Sequence, residues 1–182
     1  MERQALERQE ALPLLQRGRL NGVIMKKNYN FDFTALKSEK QIAKGMALNK
    51  PISTKYATEL CREINGKNVS KAETFLNNIV AKKEFLPLRK YNIQVAHRKG
   101  AAKSNVKSGR YPRNTALVFL DLLQDVKANA DYKGLDADKL FVLHSFASMG
   151  FRRFSHQPKG HIGGKSRRKK STHVEIIVRE RK

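Results

Sequence analysis

Five histidines, a single cysteine and the run Gly160-His161-Ile162-Gly163-Gly164-Lys165-Ser166 are the first places to look for chemistry in this chain of 182 residues. The run ends like a phosphate-binding loop, in which glycines expose backbone amides and a lysine meets the outer phosphates. Such a loop needs a glycine five positions before Gly164, where this chain has Lys159, and a helix afterwards, where Arg167-Arg168-Lys169-Lys170 and a strand-like segment follow. The glycines are better read as permitting a tight turn. His97, His144, His156, His161 and His173 lack the paired spacing of a zinc site, and Cys61 has no second cysteine as co-ligand or disulfide partner. His144 and His173 suit ordinary cross-strand positions. His156 and His161 lie among cations, where they can hydrogen-bond to phosphates or bases. Apart from Asp32, the aspartates cluster between positions 121 and 138, mostly on the outer side of a helix and its exit, and the two most basic segments contain one acid, Glu84. No nucleophile–base pair or carboxylate pair can be assembled from them. The reading is of a protein without catalytic residues, metal or cofactor.

What remains is cationic charge, and its distribution is uneven. The chain has 38 Lys+Arg against 16 Asp+Glu, a formal net charge of +22. Residues 82–113 hold ten basic groups against Glu84, and residues 151–170 hold eight and no acid. Residues 114–150, between them, carry three Lys and five Asp. A solubilising surface would spread its charge, whereas two concentrated blocks imply a polyanion that neutralises them. Lysine and arginine release counterions from phosphates, so binding should fall steeply with salt. Tyr91, Tyr111, Phe151 and Phe154 stand among the cations and are available to stack on unpaired bases. No apolar run approaches the roughly 20 residues of a membrane span, and neither basic block has the amphipathic stripe of a membrane-surface helix.

The elements that position these blocks follow from periodicity. Tyr56, Ala57, Leu60, Cys61 and Ile64 share one helical face, with Ser53 or Thr54 as the cap and Asn65-Gly66 as the stop. Cys61 lies on that face as a core residue. Ser70-Lys71-Ala72-Glu73 has the form of a capping box, preferred here to the glycosylation pattern Asn68-Val69-Ser70, and opens a second helix that runs to about Lys83 through Ala72, Phe75, Leu76, Ile79 and Val80. Residues 84–111 have no sustained period, and their aromatics and cations, Phe85 included, suggest a segment ordered by its ligand. Pro112 opens the third helix, whose wide apolar face includes Ala116, Leu117, Phe119, Leu120, Leu122, Leu123, Val126 and Ala130, ending at Gly134. The period then changes to two. Residues 140–146 and 172–179 read as strands, with Val174, Ile176 and Val178 facing inward and Glu175 and Arg179 outward. Residues 44–48 offer a third strand. If the two later strands pair antiparallel, the basic segment between them must leave the body and return as a hairpin that needs a partner.

Four runs then resemble one family. Pro87-Leu88-Arg89-Lys90-Tyr91-Asn92, Gly109-Arg110-Tyr111-Pro112, Asn129-Ala130-Asp131-Tyr132-Lys133-Gly134-Leu135-Asp136 and Thr172-His173-Val174-Glu175-Ile176 occur in the order seen in the large-subunit ribosomal protein called L twenty-two in bacteria and L seventeen in eukaryotes, in its archaeal/eukaryotic form. The resemblance covers residues 27–180. It implies an α+β fold: three helices packed on a small three-stranded antiparallel sheet, with a long protruding β-hairpin at about 148–172. It implies a single RNA-binding domain over 25–182 and a cytosolic, structural role in the large ribosomal subunit. The partners it implies are large-subunit rRNA, neighbouring ribosomal proteins and, near the hairpin tip in the wall of the exit tunnel, the nascent polypeptide; no membrane and no small-molecule substrate are expected. The body contacts would be Arg89, Lys90, Tyr91, His97, Arg98, Lys99, Lys103, Lys107, Arg110, Tyr111 and Arg113. The hairpin contacts would be Arg152, Arg153, His156, Lys159, His161, Lys165, Arg167, Arg168, Lys169 and Lys170. The tip departs from the family's Arg-Ala-x-Gly-Arg run, having Gly160-His161-Ile162-Gly163-Gly164-Lys165 instead. Residues 1–24 have no counterpart and are read as an N-terminal extension, poorly ordered or belonging to a gene model that runs upstream of a start at Met25. A non-ribosomal basic nucleic-acid-binding module is the alternative, to be distinguished by its binding duplex DNA as well as RNA.

Overall fold

Small side chains decide how closely the helices approach the sheet. The computed structural model describes residues 28–33, 41–99, 105–157 and 164–181. It separates into two units, Met1–Asn30 and Phe31–Lys182. Only residues 28–30 of the first are described, so the extension over 1–24 lies outside the described residues. In the second unit, β1 (Ile42–Lys50), β7 (Thr172–Glu180) and β4 (Leu140–Met149) form an antiparallel sheet with β7 in the centre. One face carries Ala43, Gly45 and Ala47 of β1 opposite Val178, Ile176 and Val174. A Cβ at Gly45 would lie 2.5 Å from Val126 Cγ2, so only glycine lets the third helix sit this close.

Three helices cover that face, as an α+β fold requires. Helix α1 (Thr54–Ile64) buries Ala57, Leu60, Cys61 and Ile64; α2 (Val69–Val80) buries Val69, Ala72, Phe75, Leu76 and Ile79. Helix α3 (Arg113–Tyr132) lies across β1 and against α2, burying Phe119, Leu122, Leu123 and Val126 at the centre of the core. Pro112 occupies its N-cap position. Leu117 proves to be 40% exposed, because the buried stripe of α3 is narrower than its apolar content suggests. None of the described helices is long and apolar enough to cross a membrane.

Polar groups behave less as local patterns predict. Neither α1 nor α2 has a side-chain cap hydrogen bond. The Thr54 hydroxyl lies 3.0 Å from that of Thr172, a tie between the start of α1 and the start of β7. The expected capping box is absent: α2 begins two residues earlier, with Asn68 rather than Ser70 at the N-cap, and Glu73 meets Lys127 Nζ of α3 at 2.6 Å. A cross-helix ion pair has displaced the local one. Helix α2 also ends at Val80, short of Lys83. Glu175, expected to face outward, is buried, and its Oε1 lies 3.2 Å from His144 Nε2. The second sheet face is itself covered: the Phe31 ring sits 5.1 Å from His144, and Phe146 stacks against the same imidazole at 6.3 Å.

Two small ribbons carry the basic blocks. β2 (Leu86–Pro87) pairs with β3 (Gly109–Arg110), and β5 (Phe154–Gln157) pairs with β6 (Lys165–Arg168). The second ribbon is the hairpin, set off from the main sheet by irregular residues 150–153 and 169–171 rather than running on from it.

Candidate nucleic-acid interface

A buried carboxylate organises the first basic block. Glu59 of α1 is 1% exposed and accepts hydrogen bonds from the backbone N–H groups of Lys90 (2.7 Å) and Tyr91 (3.1 Å), with Arg62 Nη1 3.4 Å away. An unpaired carboxylate in that position would cost several kcal/mol, and these donors offset the cost. The result is a fixed Arg89–Lys90–Tyr91 turn whose side chains point away from the core. Arg89 Nη2 reaches Glu63 at 3.3 Å, and the Lys55 and Lys90 ammonium groups lie 5.4 and 5.7 Å from the Tyr91 ring centroid. Farther along, Arg98 donates from Nε to the Gly109 carbonyl (3.1 Å) and lies over the Tyr111 ring. His97 bridges to Ser108, and the Arg98 N–H bonds to the Lys107 carbonyl. Lys99 and Lys107 are exposed. Phe85 is not a surface aromatic: it is 4% exposed and packs beneath Gly109. The segment is anchored to the body by its own apolar residues, Phe85, Leu86 and Leu88, where ordering by a ligand was expected.

The second block is held at its root by Asn49. This residue has φ of 52°, a left-handed conformation that asparagine tolerates better than most. Its Oδ1 accepts from the Phe151 N–H (3.3 Å) and the Ser171 hydroxyl (3.1 Å), and its own N–H donates to His173 Nδ1 (3.1 Å). A side chain at Gly150 would meet Ser171 Oγ at 2.5 Å and Asn49 Oδ1 at 2.6 Å. Beyond this clamp nearly everything is solvent-facing. Arg152, Arg153, His156, Lys165, Arg167, Arg168, Lys169 and Lys170 are exposed, as are Phe151 (77%) and Phe154 (57%), and the Arg168 guanidinium lies 5.2 Å from the Phe154 ring. Lys103, Lys159 and His161 lie outside the described residues.

The fold brings the two blocks together. Lys50 pairs with Thr172, and α1 begins four residues after Lys50, so Lys170 arrives beside the first turn of α1. A cavity of about 350 Å³ there is bordered by Lys55, Lys90, Arg110 and Lys170, with Leu88 and Val95 within it. Lys170 also lines a neighbouring recess of about 310 Å³ with Tyr111 and Arg113, and another of about 190 Å³ with Lys55, Arg152 and Arg168. Among the described residues, no Asp or Glu lines any of the three. The first turn of α1, with Ser53 making no cap bond, adds the positive end of a helix to this field. Such a surface can neutralise closely spaced phosphates and present aromatic faces. Among the described residues no cluster of His, Cys, Asp or Glu is arranged to hold a metal. Burial pushes the Cys61 thiol up to about 12, which leaves it un-ionised at neutral pH and without nucleophilic use.

Glu59, Asn49, Lys55 and Ile93 escaped the sequence reading. For Glu59 a signal existed: it stands three residues after Tyr56 and one before Leu60, at the edge of the apolar stripe. Asn49 carries no comparable local mark.

Comparison with known proteins agrees with the geometry. The family profile described as ribosomal protein L22p/L17e matches residues 46–179. A protein of Ignicoccus hospitalis named large ribosomal subunit protein uL22 is 37% identical over 154 residues, covering 84% of this chain and 96% of the relative. Proteins of the same name from Staphylothermus marinus (38% identity, 80% and 93% covered) and Archaeoglobus fulgidus (36%, 79% and 91%) are similar over nearly the same span.

Proposed function

The chain belongs to the ribosomal protein L22p/L17e family, a family of structural proteins and not of enzymes, and on that premise we propose that it binds large-subunit rRNA as a component of the large ribosomal subunit. The observation that carries the reading is the junction of two basic blocks, distant in sequence, around the start of α1 and Lys170 with no carboxylate among the described lining residues. The body residues Arg89, Lys90, Tyr91, Arg98, Lys107, Arg110 and Arg113 would hold the RNA surface. The hairpin residues Arg152, Arg153, Lys165, Arg167, Arg168, Lys169 and Lys170 would follow a crevice inward. Phe151 and Phe154 would stack on unpaired bases, and shape rather than sequence would be read. With about ten phosphates engaged, affinity should fall roughly 10³–10⁵-fold between 50 and 200 mM salt. We further infer that the hairpin tip reaches the wall of the polypeptide exit tunnel and faces the nascent chain, with neighbouring ribosomal proteins around the body and the cytosolic ribosome as its location.

The test is co-migration of the tagged chain with large subunits through a high-salt sucrose gradient. Retention on the subunit supports the reading, and release into the top fractions with equal binding of duplex DNA would overturn it. For the tunnel placement, a photo-reactive residue at position 162 should cross-link to a stalled nascent peptide.

A further inference from the structure

Phosphate binding alone does not account for the 350 Å³ cavity between the two limbs. Its interior is apolar: Leu88 is fully buried beneath it, and Val95 and the Tyr56 ring border it. On its rim stands Ile93, 86% exposed on an otherwise cationic surface. Solvated lysines need no apolar recess beside them, and a double-helical backbone has no apolar face to fill one. An unpaired nucleotide has both parts, a planar base with apolar faces and phosphates on either side. The volume lies within the range of small-ligand sites, roughly 300–1,000 Å³.

We propose that this cavity captures one extruded nucleotide of the bound RNA, the base lying against Leu88, Ile93 and the Tyr91 ring while its flanking phosphates meet Lys55 and Lys170. The proposal rests on the RNA-binding reading above and adds the class of ligand at one site, a base in addition to phosphates. Glu59 is the positioning residue. By holding the Lys90 and Tyr91 backbone amides, it keeps one wall of the recess in place before RNA arrives. A protein partner with an aromatic acidic segment would fit the recess too, but cations of both limbs border it and the two neighbouring recesses, which suits a polymer charged at every unit.

The experiment uses the full chain and three labelled probes at 100 mM salt: hexauridylate, an abasic ribose-phosphate hexamer of equal charge, and a short RNA duplex. Hexauridylate should bind roughly tenfold more tightly than the abasic hexamer, the gain expected for a stacked base. Ile93→Ser, at an exposed position whose change leaves the core intact, should remove most of that gain and leave abasic and duplex binding unchanged; Tyr132→Ser, at an exposed aromatic on the last turn of α3 with no assigned RNA contact, should leave the gain in place. Equal affinity for hexauridylate and the abasic hexamer, or an Ile93→Ser variant with the gain intact, overturns base capture while RNA binding stands. Failure of all three probes to bind overturns the RNA-binding reading itself. Displacement of hexauridylate by a tyrosine-containing acidic peptide that binds more tightly, and loses that affinity in Ile93→Ser, would assign the recess to a protein and overturn the proposal.

Discussion

The two basic limbs are alike in charge and unlike in how the protein holds them. Residues 84–111 return to the body repeatedly: Phe85, Leu86 and Leu88 are buried, Glu59 fixes the turn at Lys90 and Tyr91, and Arg98 bonds back to Gly109. Residues 151–170 leave the body at one clamp, Asn49 with Ser171, and every described residue from Gly164 to Lys170 is exposed. A two-stranded ribbon with so little burial has no independent stability. The difference teaches that cationic density does not set preorganisation. One limb presents a surface shaped in advance, while the other gains its burial only from whatever surrounds it. The buried Glu59 carboxylate holds the backbone of the first limb, and the second limb has no buried carboxylate at its root.

Removing the hairpin is the most severe way to test that contrast. Joining Gly150 to Ser171 should leave the thermal midpoint of the body within a few degrees, because the deleted residues contribute little to the core. It should lower RNA affinity by on the order of a hundredfold at 150 mM salt, and flatten the salt dependence by about 0.9 in log–log slope for each phosphate no longer engaged. Incorporation into large subunits should fall accordingly, and unchanged incorporation would refute the hairpin's role. Next in size is Glu59→Ala. It strands two backbone amides and should destabilise the body by about 3 kcal/mol in urea titration, with hydrogen exchange at Lys90 and Tyr91 accelerated beyond the global change. Equal protection of those amides would mean the loop is held by packing alone.

A smaller effect is expected at the other limb's attachment. Gly150→Ala pushes a methyl group against Ser171 and Asn49 and should cost about 1–2 kcal/mol, with chemical-shift changes confined to the hairpin root. Changes of equal size around Tyr91 would show that the two limbs are not held separately. Smallest is the response of Cys61. Its buried thiol should stay unmodified by iodoacetamide at pH 8 in the native protein and react on unfolding, as mass spectrometry would record.

Much of the framework was legible from periodicity, for a physical reason. A helix or strand that buries one face must repeat apolar residues at its own period, so α1, α3, β4, β7 and the extra strand at 44–48 could be placed by pattern. The fold class came with the family resemblance. Polar side chains obey no such rule. Ser70 and Glu73 had the form of a capping box, yet Glu73 found Lys127 on another helix. Glu175 alternated correctly for the outer face of a strand, yet that face was covered. In the interface, the cations were readable as two blocks because charge is a property of composition. The groups that hold and join them, Glu59 and Asn49 above all, were not, since apart from Arg62 their partners stand from 31 to 124 residues away.

Taken alone, the order of residues settled where charge is concentrated and which helix and strand faces are apolar, because both are written within a turn or two of chain. Tertiary structure alone decided that the last strand lies between the first and the fourth. That placement pairs Thr172 with Lys50 and brings Lys170 to the start of α1, so two basic stretches far apart along the chain come to share one surface. Strand order depends on long-range pairing, and no local pattern specifies it.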